Sequence, residues 1–174
     1  MVSHPHFLWT DLFRRGKSNQ QNMACILREN ILFHTLARQE IAYLTSIVYE
    51  RIYQPNEVIF HQNDRGLGMY MIAAGQVSIK SETPQGEVQI TRLSEGSFFG
   101  EMALVDPDNV RTASAEALER TVLVGFFISD LQEILDRKPV MGVKILLQLA
   151  HTLGRRLSET TEKMTQTSPL PKYA

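Results

Sequence analysis

The chain has 174 residues, of which 43% are hydrophobic, and its formal net charge at pH 7 is −1. This length fits one domain with short extensions. The near-neutral charge argues against direct nucleic-acid binding, because general nucleic-acid binders are usually strongly basic. Cys25 is the only cysteine, which excludes an intramolecular disulfide, an iron–sulfur cluster and a cysteine-rich zinc site.

The N-terminus and the hydropathy pattern predict a cytoplasmic protein. The opening sequence MVSHPHFLWTDLFRRGK lacks a signal-peptide pattern, because its apolar run is short and comes before its basic residues. No stretch reaches the about 18 apolar residues of a membrane span. We interpret residues 1–21 as an extension in which FLWTDLF is either weakly ordered or a short amphipathic helix that docks to a partner.

Residues 22–47 have the apolar spacing of helices. Two runs carry this pattern, one formed by Met23, Ile26, Leu27 and Ile31 and the other by Ile41, Leu44 and Ile47. Recurrence at intervals of three and four residues predicts two helical segments that bury one face each.

The period shortens between residues 48 and 127. Val77 and Ile79 alternate with polar neighbours, and the same alternation recurs at Val88 and Ile90. Turn sequences such as NDRG, TPQGE and DPDN separate these short runs. Many short strands at regular spacing predict a β-sandwich or a barrel-like roll.

Helical patterns return after the strands. Ser129 with Gln132 forms a capping-box pattern ahead of one helix, and Pro139 suits the first turn of the next. The second helix carries one apolar stripe, formed by Val143, Leu146, Leu147, Ala150, Leu153 and Leu157. The predicted domain of residues 22–163 comprises helical residues 22–47, a β-roll at 48–127 and C-terminal helices at 129–163, followed by a disordered tail at 164–174.

Gly100 and Glu101 stand beside each other, and Arg111 follows after a polar loop. A surface ion pair between the two charges would contribute only about 0–1 kcal/mol and would not require glycine at position 100. A helical turn that begins near Gly100 would instead present free N–H groups to an anion, and a guanidinium could add two parallel bonds to a phosphate. A carboxylate beside that phosphate can accept a hydroxyl proton, so a cyclic nucleotide is one candidate among phosphate esters.

Residues 99–104 (FGEMAL) and 111–113 (RTA) resemble the phosphate-binding cassette of cyclic-nucleotide-binding domains. The stretch EVIFHQNDRGLGMYMIAAGQVSI resembles an upstream signature of the same family, and the resemblance covers residues 25–160. It implies a mainly β fold, an eight-stranded jelly-roll or double-stranded β-helix, with flanking α-helices. It also indicates a sensor domain of the catabolite-activator type without a DNA-binding domain.

The resemblance implies a role for each cassette residue. Glu101 would bond the ribose 2′-hydroxyl, Arg111 would hold the phosphate oxygens, and Thr112 would lie beside the phosphate and the base. Backbone N–H groups would complete the cradle, which gives the ligand-binding set Gly100, Glu101, Met102, Ala103, Arg111 and Thr112. The hydroxyl at Thr112 is compatible with cAMP or cGMP, and we expect cAMP to be favoured. In relatives, a side chain of the C-terminal helix covers the base as a lid, and Arg155 or Arg156 is the candidate here.

This sequence departs from the usual family pattern at two places. Residues 62–64 read Gln-Asn-Asp where the family usually has Glu-Gly-Asp, and Leu67 replaces a commonly acidic residue. Asn tolerates a positive φ angle better than most residues, so the turn can survive. Asp106 and Asp108 are interpreted as members of a solvated turn, since the acidic ligands of a calcium loop are too few.

The sequence carries no legible enzyme site. A jelly-roll metalloenzyme needs two or three converging ligands, whereas only two of the five histidines, His4 and His6, are close in sequence. We therefore expect no metal and no catalytic residue. The leading hypothesis is a stand-alone regulatory module that binds cAMP or cGMP and signals to an effector protein by moving its terminal helices.

Two alternatives remain open at this point. The chain could be a ligand-free interaction or scaffold domain, or a relative of transcription regulators that lacks their DNA-binding half. The apolar stripe from Val143 to Leu157 also predicts a homodimer through the C-terminal helix.

Overall fold

The computed structural model describes residues 23–106, 108 and 110–167. The docking hypothesis for residues 1–21 lies outside these residues, as do residues 168–174 of the predicted tail. Within the described residues, no helix has the length and hydropathy that crossing a bilayer requires.

Two helical segments precede the strands, as the apolar spacing predicts. Residues 23–29 are helical (α1), and α2 spans Arg38–Ile47. The carboxylate of Glu40 accepts a hydrogen bond of 2.7 Å from the backbone N–H of Ala37, which satisfies a donor at the start of α2 that has no intrahelical acceptor. Ile41 and Leu44 are the buried residues of α2.

Eight antiparallel strands form two four-stranded sheets. They are β1 Tyr49–Tyr53, β2 Val58–Phe60, β3 Gly68–Ala74, β4 Gln76–Thr83, β5 Gly86–Ser94, β6 Phe98–Phe99, β7 Ser114–Ala117 and β8 Thr121–Phe127. The order is β1-β8-β3-β6 in one sheet and β2-β7-β4-β5 in the other. This arrangement confirms the predicted eight-stranded jelly-roll with flanking helices. The sequence pattern did not show β6 as a strand, because two residues are too few to display a period.

Strand β5 differs from the predicted pattern. Val88 and Ile90 remain 52% and 59% exposed, although their alternation with polar residues indicates a buried face. The reason is the position of β5 at the edge of its sheet, where it pairs with β4 alone.

The chain builds two hydrophobic cores. One lies between the sheets and is formed by Tyr53, Ile72, Val77, Phe99, Ala115, Ala117 and Leu123. The other joins the helices to β3 and β8, and its largest buried members include Leu27, Phe33, Leu44, Met69, Phe126 and Ile134. The helices are therefore packed on one sheet of the roll, next to the end of β6.

Two helices close the domain. They are α3 Ile128–Arg137 and α4 Pro139–Thr167. The prediction that Pro139 begins the second helix is confirmed. The capping prediction is wrong by two residues, because the cap is Phe127 and Ser129 lies inside the first turn. The carboxylate of Asp130 accepts a 2.8 Å hydrogen bond from the backbone N–H of Phe127. The last helix continues to Thr167, so residues 164–167 are helical rather than part of a disordered tail.

The apolar stripe predicted for α4 faces the core only in part, with Leu146 and Leu153 partly buried against the helical core. Met141, Ile145 and Leu149 are each 1% exposed and face the helical core. By contrast, Val143 is 51% and Leu147 is 64% exposed. The apolar arc of α4 is wider than one stripe, and the domain covers only one side of it.

Polar contacts tie α2 to both closing helices. The ammonium of Lys144 on α4 donates to the carboxylate of Glu40 at 2.9 Å. The hydroxyl of Tyr43 on α2 donates to Glu133 on α3 at 3.1 Å. The N-terminal and C-terminal helices therefore form one cluster beside the roll.

Candidate functional site

The site begins where β6 ends. Phe98 and Phe99 form the strand, Gly100 follows with a φ of 75°, and Glu101–Leu104 form a 3-10 helix. This confirms the prediction of a helical turn that begins near Gly100. Glycine is required at position 100 because its φ lies in the left-handed region and because a Cβ there would collide with Nη1 of Arg111.

Arg111 is buried, with 6% of its surface exposed, and its guanidinium faces backbone carbonyls. Nη1 donates to the carbonyl of Gly100 at 2.9 Å, and Nη2 donates to the carbonyl of Gly68 at 2.7 Å. The buried Nε has no hydrogen-bond acceptor among the described residues. A Cβ at Gly66 would lie 3.0 Å from Cζ of Arg111, so the glycines around the site make room for this guanidinium.

Aromatic rings cover the same guanidinium. Cζ of Arg111 lies 4.1 Å from the centroid of the Phe60 ring and 6.0 Å from that of Tyr70. Burial lowers the pKa of Arg111, while the charges of Glu101 and Asp64 act in the opposite direction. Arginine nevertheless stays charged at neutral pH, so the site holds a fixed and largely desolvated cation.

The turn at residues 62–64 holds the backbone of Arg111. The N–H of Asn63 donates to the carbonyl of Arg111 at 2.9 Å, and the N–H of Arg111 donates to the carbonyl of Asp64 at 2.9 Å. Asn63 has a φ of 69°. The prediction that asparagine preserves this turn is therefore confirmed.

Glu101 does not pair with Arg111. Its carboxylate is buried, with 4% of the residue exposed, and Oε1 accepts a hydrogen bond from Nη1 of Arg156 on α4. Nη2 of Arg156 donates to the carbonyl of Phe98 at 3.2 Å, and Cζ lies 4.5 Å from the Phe98 ring centroid. No ion pair joins Glu101 to Arg111 among the ion pairs of the described residues.

The two lid candidates have different environments. The side chain of Arg155 is 63% exposed and lies 3.6 Å from Glu159 on the same helix. The side chain of Arg156 is 41% exposed and reaches the cassette. Of the two, only Arg156 contacts Glu101 in this structure.

The other predicted binding residues differ in how much of their surface is exposed. Ala103 is 3% exposed, Met102 is 44% exposed, and Thr112 is exposed directly after Arg111. The Asp106 carboxylate accepts a 3.0 Å hydrogen bond from the backbone N–H of Asp108, as in an ordinary turn. Across the residues that the structure describes, no three acidic, histidine or cysteine side chains converge as a metal site would require.

Sequence reasoning missed the residues that position the two charges. Phe60, Gly68 and Phe98 contact the two guanidiniums, but each lies far along the chain from the arginine that it contacts. An aromatic residue two positions before the 62–64 turn is the one local signal that could have identified Phe60.

The arrangement suits an anionic ester with a free hydroxyl. Arg111 is a buried positive charge and Arg156 a partly exposed one, while Glu101 is a buried negative charge and Asp64 an exposed one. A low local dielectric strengthens the attraction between a buried cation and a phosphate. The first N–H groups of the 3-10 helix add donors of the kind that bind anions.

Comparisons with known proteins agree with this geometry. The sequence matches the cyclic nucleotide-binding domain family over residues 50–138. The Cyclic AMP receptor protein of Thermus thermophilus is 36% identical over 129 residues, which cover 74% of this chain and 57% of that protein. The chain therefore spans little more than half the length of this relative.

Solved structures share the fold. The Catabolite Activator Protein of Thermus thermophilus matches with a TM-score of 0.71 and 34% identity, covering 79% of this chain and 63% of that chain. A cyclic nucleotide-binding domain from Methylobacillus flagellatus matches with a TM-score of 0.76 over 99% of this chain and all of that chain, at 20% identity. The family match, together with the jelly-roll and the cassette, shows that this chain belongs to the cyclic nucleotide-binding domain family.

Proposed function

We propose that this chain is a regulatory module that binds a 3′,5′-cyclic nucleotide in the cassette of residues 99–113, with cAMP favoured over cGMP. The observation that carries the proposal is the pair of buried, opposite charges at Arg111 and Glu101, which do not bond to each other. Glu101 begins the short helical turn, and Arg111 bonds the carbonyl of Gly100 directly before it. A cyclic nucleotide presents the matching groups, a singly charged phosphate and a free 2′-hydroxyl.

Arg111 holds the phosphate in this proposal. Its bonds to the carbonyls of Gly100 and Gly68 fix the guanidinium before the ligand arrives. Five N–H donors are available on an arginine, so phosphate oxygens can accept from those that the carbonyls do not use. Fixing the group in advance favours affinity because less side-chain freedom is lost on binding.

Glu101 links the ligand to α4. A carboxylate offers about four acceptor positions on two oxygens, and Arg156 occupies one of them at Oε1. The ribose 2′-hydroxyl would donate to the same carboxylate. The ligand and α4 would then both bind the carboxylate of Glu101. The position of α4 would therefore respond to ligand binding, and an effector protein could detect that response.

The choice of base rests on Thr112. This residue is exposed and follows Arg111 directly, and in this proposal its hydroxyl would lie beside the phosphate and the base. Either purine could contact a hydroxyl here. The similarity to a protein named for cyclic AMP supports cAMP as the favoured ligand.

The test is a thermal-shift and calorimetric comparison of cAMP, cGMP and 5′-AMP. A ligand that binds only the folded form raises the melting temperature as its concentration exceeds Kd. Arg111→Ala should weaken cyclic-nucleotide binding at least about thirtyfold, because losing one partner of a desolvated charge contact costs about 2–5 kcal/mol. Arg120→Ala, at an exposed arginine in the turn before β8, is the matched control. Equal affinity in the two variants would refute the role of Arg111.

We further propose that a second copy of the chain is a partner of α4. The residues Val143, Leu147, Ala150, Gly154 and Leu157 recur at alternating intervals of four and three, which is the spacing of a coiled-coil seam. Leu147 and Leu157 are 64% and 68% exposed. A parallel or antiparallel pair of α4 helices would bury this seam and leave the core-facing side unchanged.

A further inference from the structure

One aromatic side chain in this site has no role in the proposed function. Phe60 ends β2 and is partly buried at the edge of the roll core. Its ring centroid lies 4.1 Å from Cζ of Arg111, whereas the Tyr70 centroid lies 6.0 Å from the same atom. A cation above an aromatic face is attracted by the ring quadrupole, and the attraction grows when water is excluded.

The hydrogen bonds of Arg111 do not compensate fully for its burial. Two N–H groups reach carbonyls, but the buried Nε finds no acceptor among the described residues. A desolvated cation with an unsatisfied donor is unfavourable. The Phe60 face therefore supplies part of the stabilisation that the carbonyls leave missing.

Neighbouring rings hold Phe60 itself in place. Its centroid lies 6.2 Å from that of Tyr70, with 28° between the ring planes, and 5.8 Å from that of Phe99. Tyr70 and Phe99 also stack on each other at 5.7 Å. Three mutually packed rings restrict the motion of each, so Phe60 presents a fixed face to the guanidinium.

One short segment contacts both ends of Arg111. Phe60 lies over the guanidinium, while the N–H of Asn63 donates to the backbone carbonyl of the same arginine and the carbonyl of Asp64 accepts from its backbone N–H. A ring against the face of a guanidinium restrains where the cation lies and leaves its N–H groups available to acceptors around the edge. Phosphate could thus approach without displacing the ring.

We propose that Phe60 is a positioning residue that holds the Arg111 guanidinium by its aromatic face and so sets the affinity for the ligand phosphate. This inference rests on the proposed function and deepens it. Phe60 does not contact the phosphate in this proposal and acts through Arg111 alone.

The test replaces Phe60 with 4-fluoro-, 3,5-difluoro- and 3,4,5-trifluorophenylalanine in the full chain. Successive fluorines weaken the negative ring face while nearly keeping the shape of the side chain, so a merely structural role would not respond in steps. We expect Kd for cAMP, measured by calorimetry, to rise stepwise by about tenfold or more in total. The same series at Phe33, a fully buried ring of the helical core that packs edge-on against Phe126, is the control and should leave Kd unchanged.

A second pair of variants supports the series. Phe60→Leu removes the ring face and should weaken cAMP binding, whereas Phe60→Tyr keeps the face and should bind cAMP with an affinity close to that of the wild type. If Phe60→Leu does not fold, the fluorinated proteins still decide the question because they preserve the packing.

The outcomes separate the two proposals. A wild-type protein that binds neither cAMP nor cGMP overturns the proposed function and, with it, the positioning role. A wild-type protein that binds cAMP, with a Kd that stays flat across the fluorinated series at position 60, overturns the role of Phe60 alone.

Discussion

Arg156→Gln removes the cation that pairs with Glu101 and nearly preserves the helix propensity of α4. The carboxylate of Glu101 would then stay buried, with 6% of its side chain exposed, without its charged hydrogen-bond donor. Charge-assisted hydrogen bonds contribute about 1.5–3 kcal/mol. Because the Arg156 side chain is 41% exposed, water can replace part of this interaction, and we expect a loss of about 1–2 kcal/mol in the free energy of unfolding.

The neighbouring arginine provides the control. Arg155 has an exposed side chain and a solvent-screened partner in Glu159 on the same helix. An exposed pair with this spacing contributes about 0.3–0.5 kcal/mol. Arg155→Gln should therefore destabilise the protein clearly less than Arg156→Gln does.

Urea and thermal unfolding without ligand measure both variants. A loss of 1–2 kcal/mol lowers Tm by about 2–8 °C in a chain of this size. The double variant Glu101→Gln with Arg156→Gln should recover part of the loss, because no unpaired buried charge remains. Equal destabilisation by the two arginine variants, or strict additivity in the double variant, would refute a buried pair between cassette and helix.

Three further predictions follow from the site and the helical cluster. Glu101→Gln should weaken cAMP binding about tenfold and 2′-deoxy-cAMP binding much less, since the analogue lacks the hydroxyl that Glu101 accepts; equal losses by calorimetry would contradict this assignment. Leu147→Glu should keep the fold and give a monomer in sedimentation at micromolar concentration, where wild type is expected to be a dimer; a wild-type monomer with and without ligand would rule out the seam. Burial alone would raise the pKa of Glu40, but the hydrogen bonds from Lys144 and from the Ala37 backbone hold it below its ordinary value. Because the folded pKa of Glu40 is depressed, the ionised carboxylate stabilises the folded state at pH values above the unfolded pKa of about 4.3. This stabilisation is lost as the pH falls through the lower folded pKa. Lys144→Met should reduce the loss in the free energy of unfolding between pH 7 and pH 3. A pH profile identical to that of the wild type would contradict the role of Lys144 in lowering the pKa of Glu40.

Local patterns predicted the parts of the fold that depend on nearby residues. The strand runs, the start of α4 at Pro139 and the positive φ of Asn63 follow from side-chain periodicity and backbone preference. Predictions were weaker where neighbours in space decide the outcome. The helix start at Ile128 and the exposed side of α4 depend on which surfaces the roll covers.

The cassette could be identified from the sequence because its charged and glycine residues lie within one segment. Gly100, Glu101 and Arg111 are close in sequence, and a helical turn after a strand, a carboxylate and a guanidinium have recognisable roles together. The sequence by itself therefore indicated a β-roll with flanking helices and a candidate anion site, and its resemblance to the family supplied the jelly-roll and the full set of candidate binding residues.

Only the tertiary structure decided what each charge contacts. The partner of Glu101 is Arg156, which lies 55 residues further along the chain, and Arg111 lies over Phe60, on a strand of the other sheet from β6. These contacts exist because the roll closes and α4 returns across the end of β6, and no one-dimensional pattern records which side chains that closure brings within hydrogen-bonding distance.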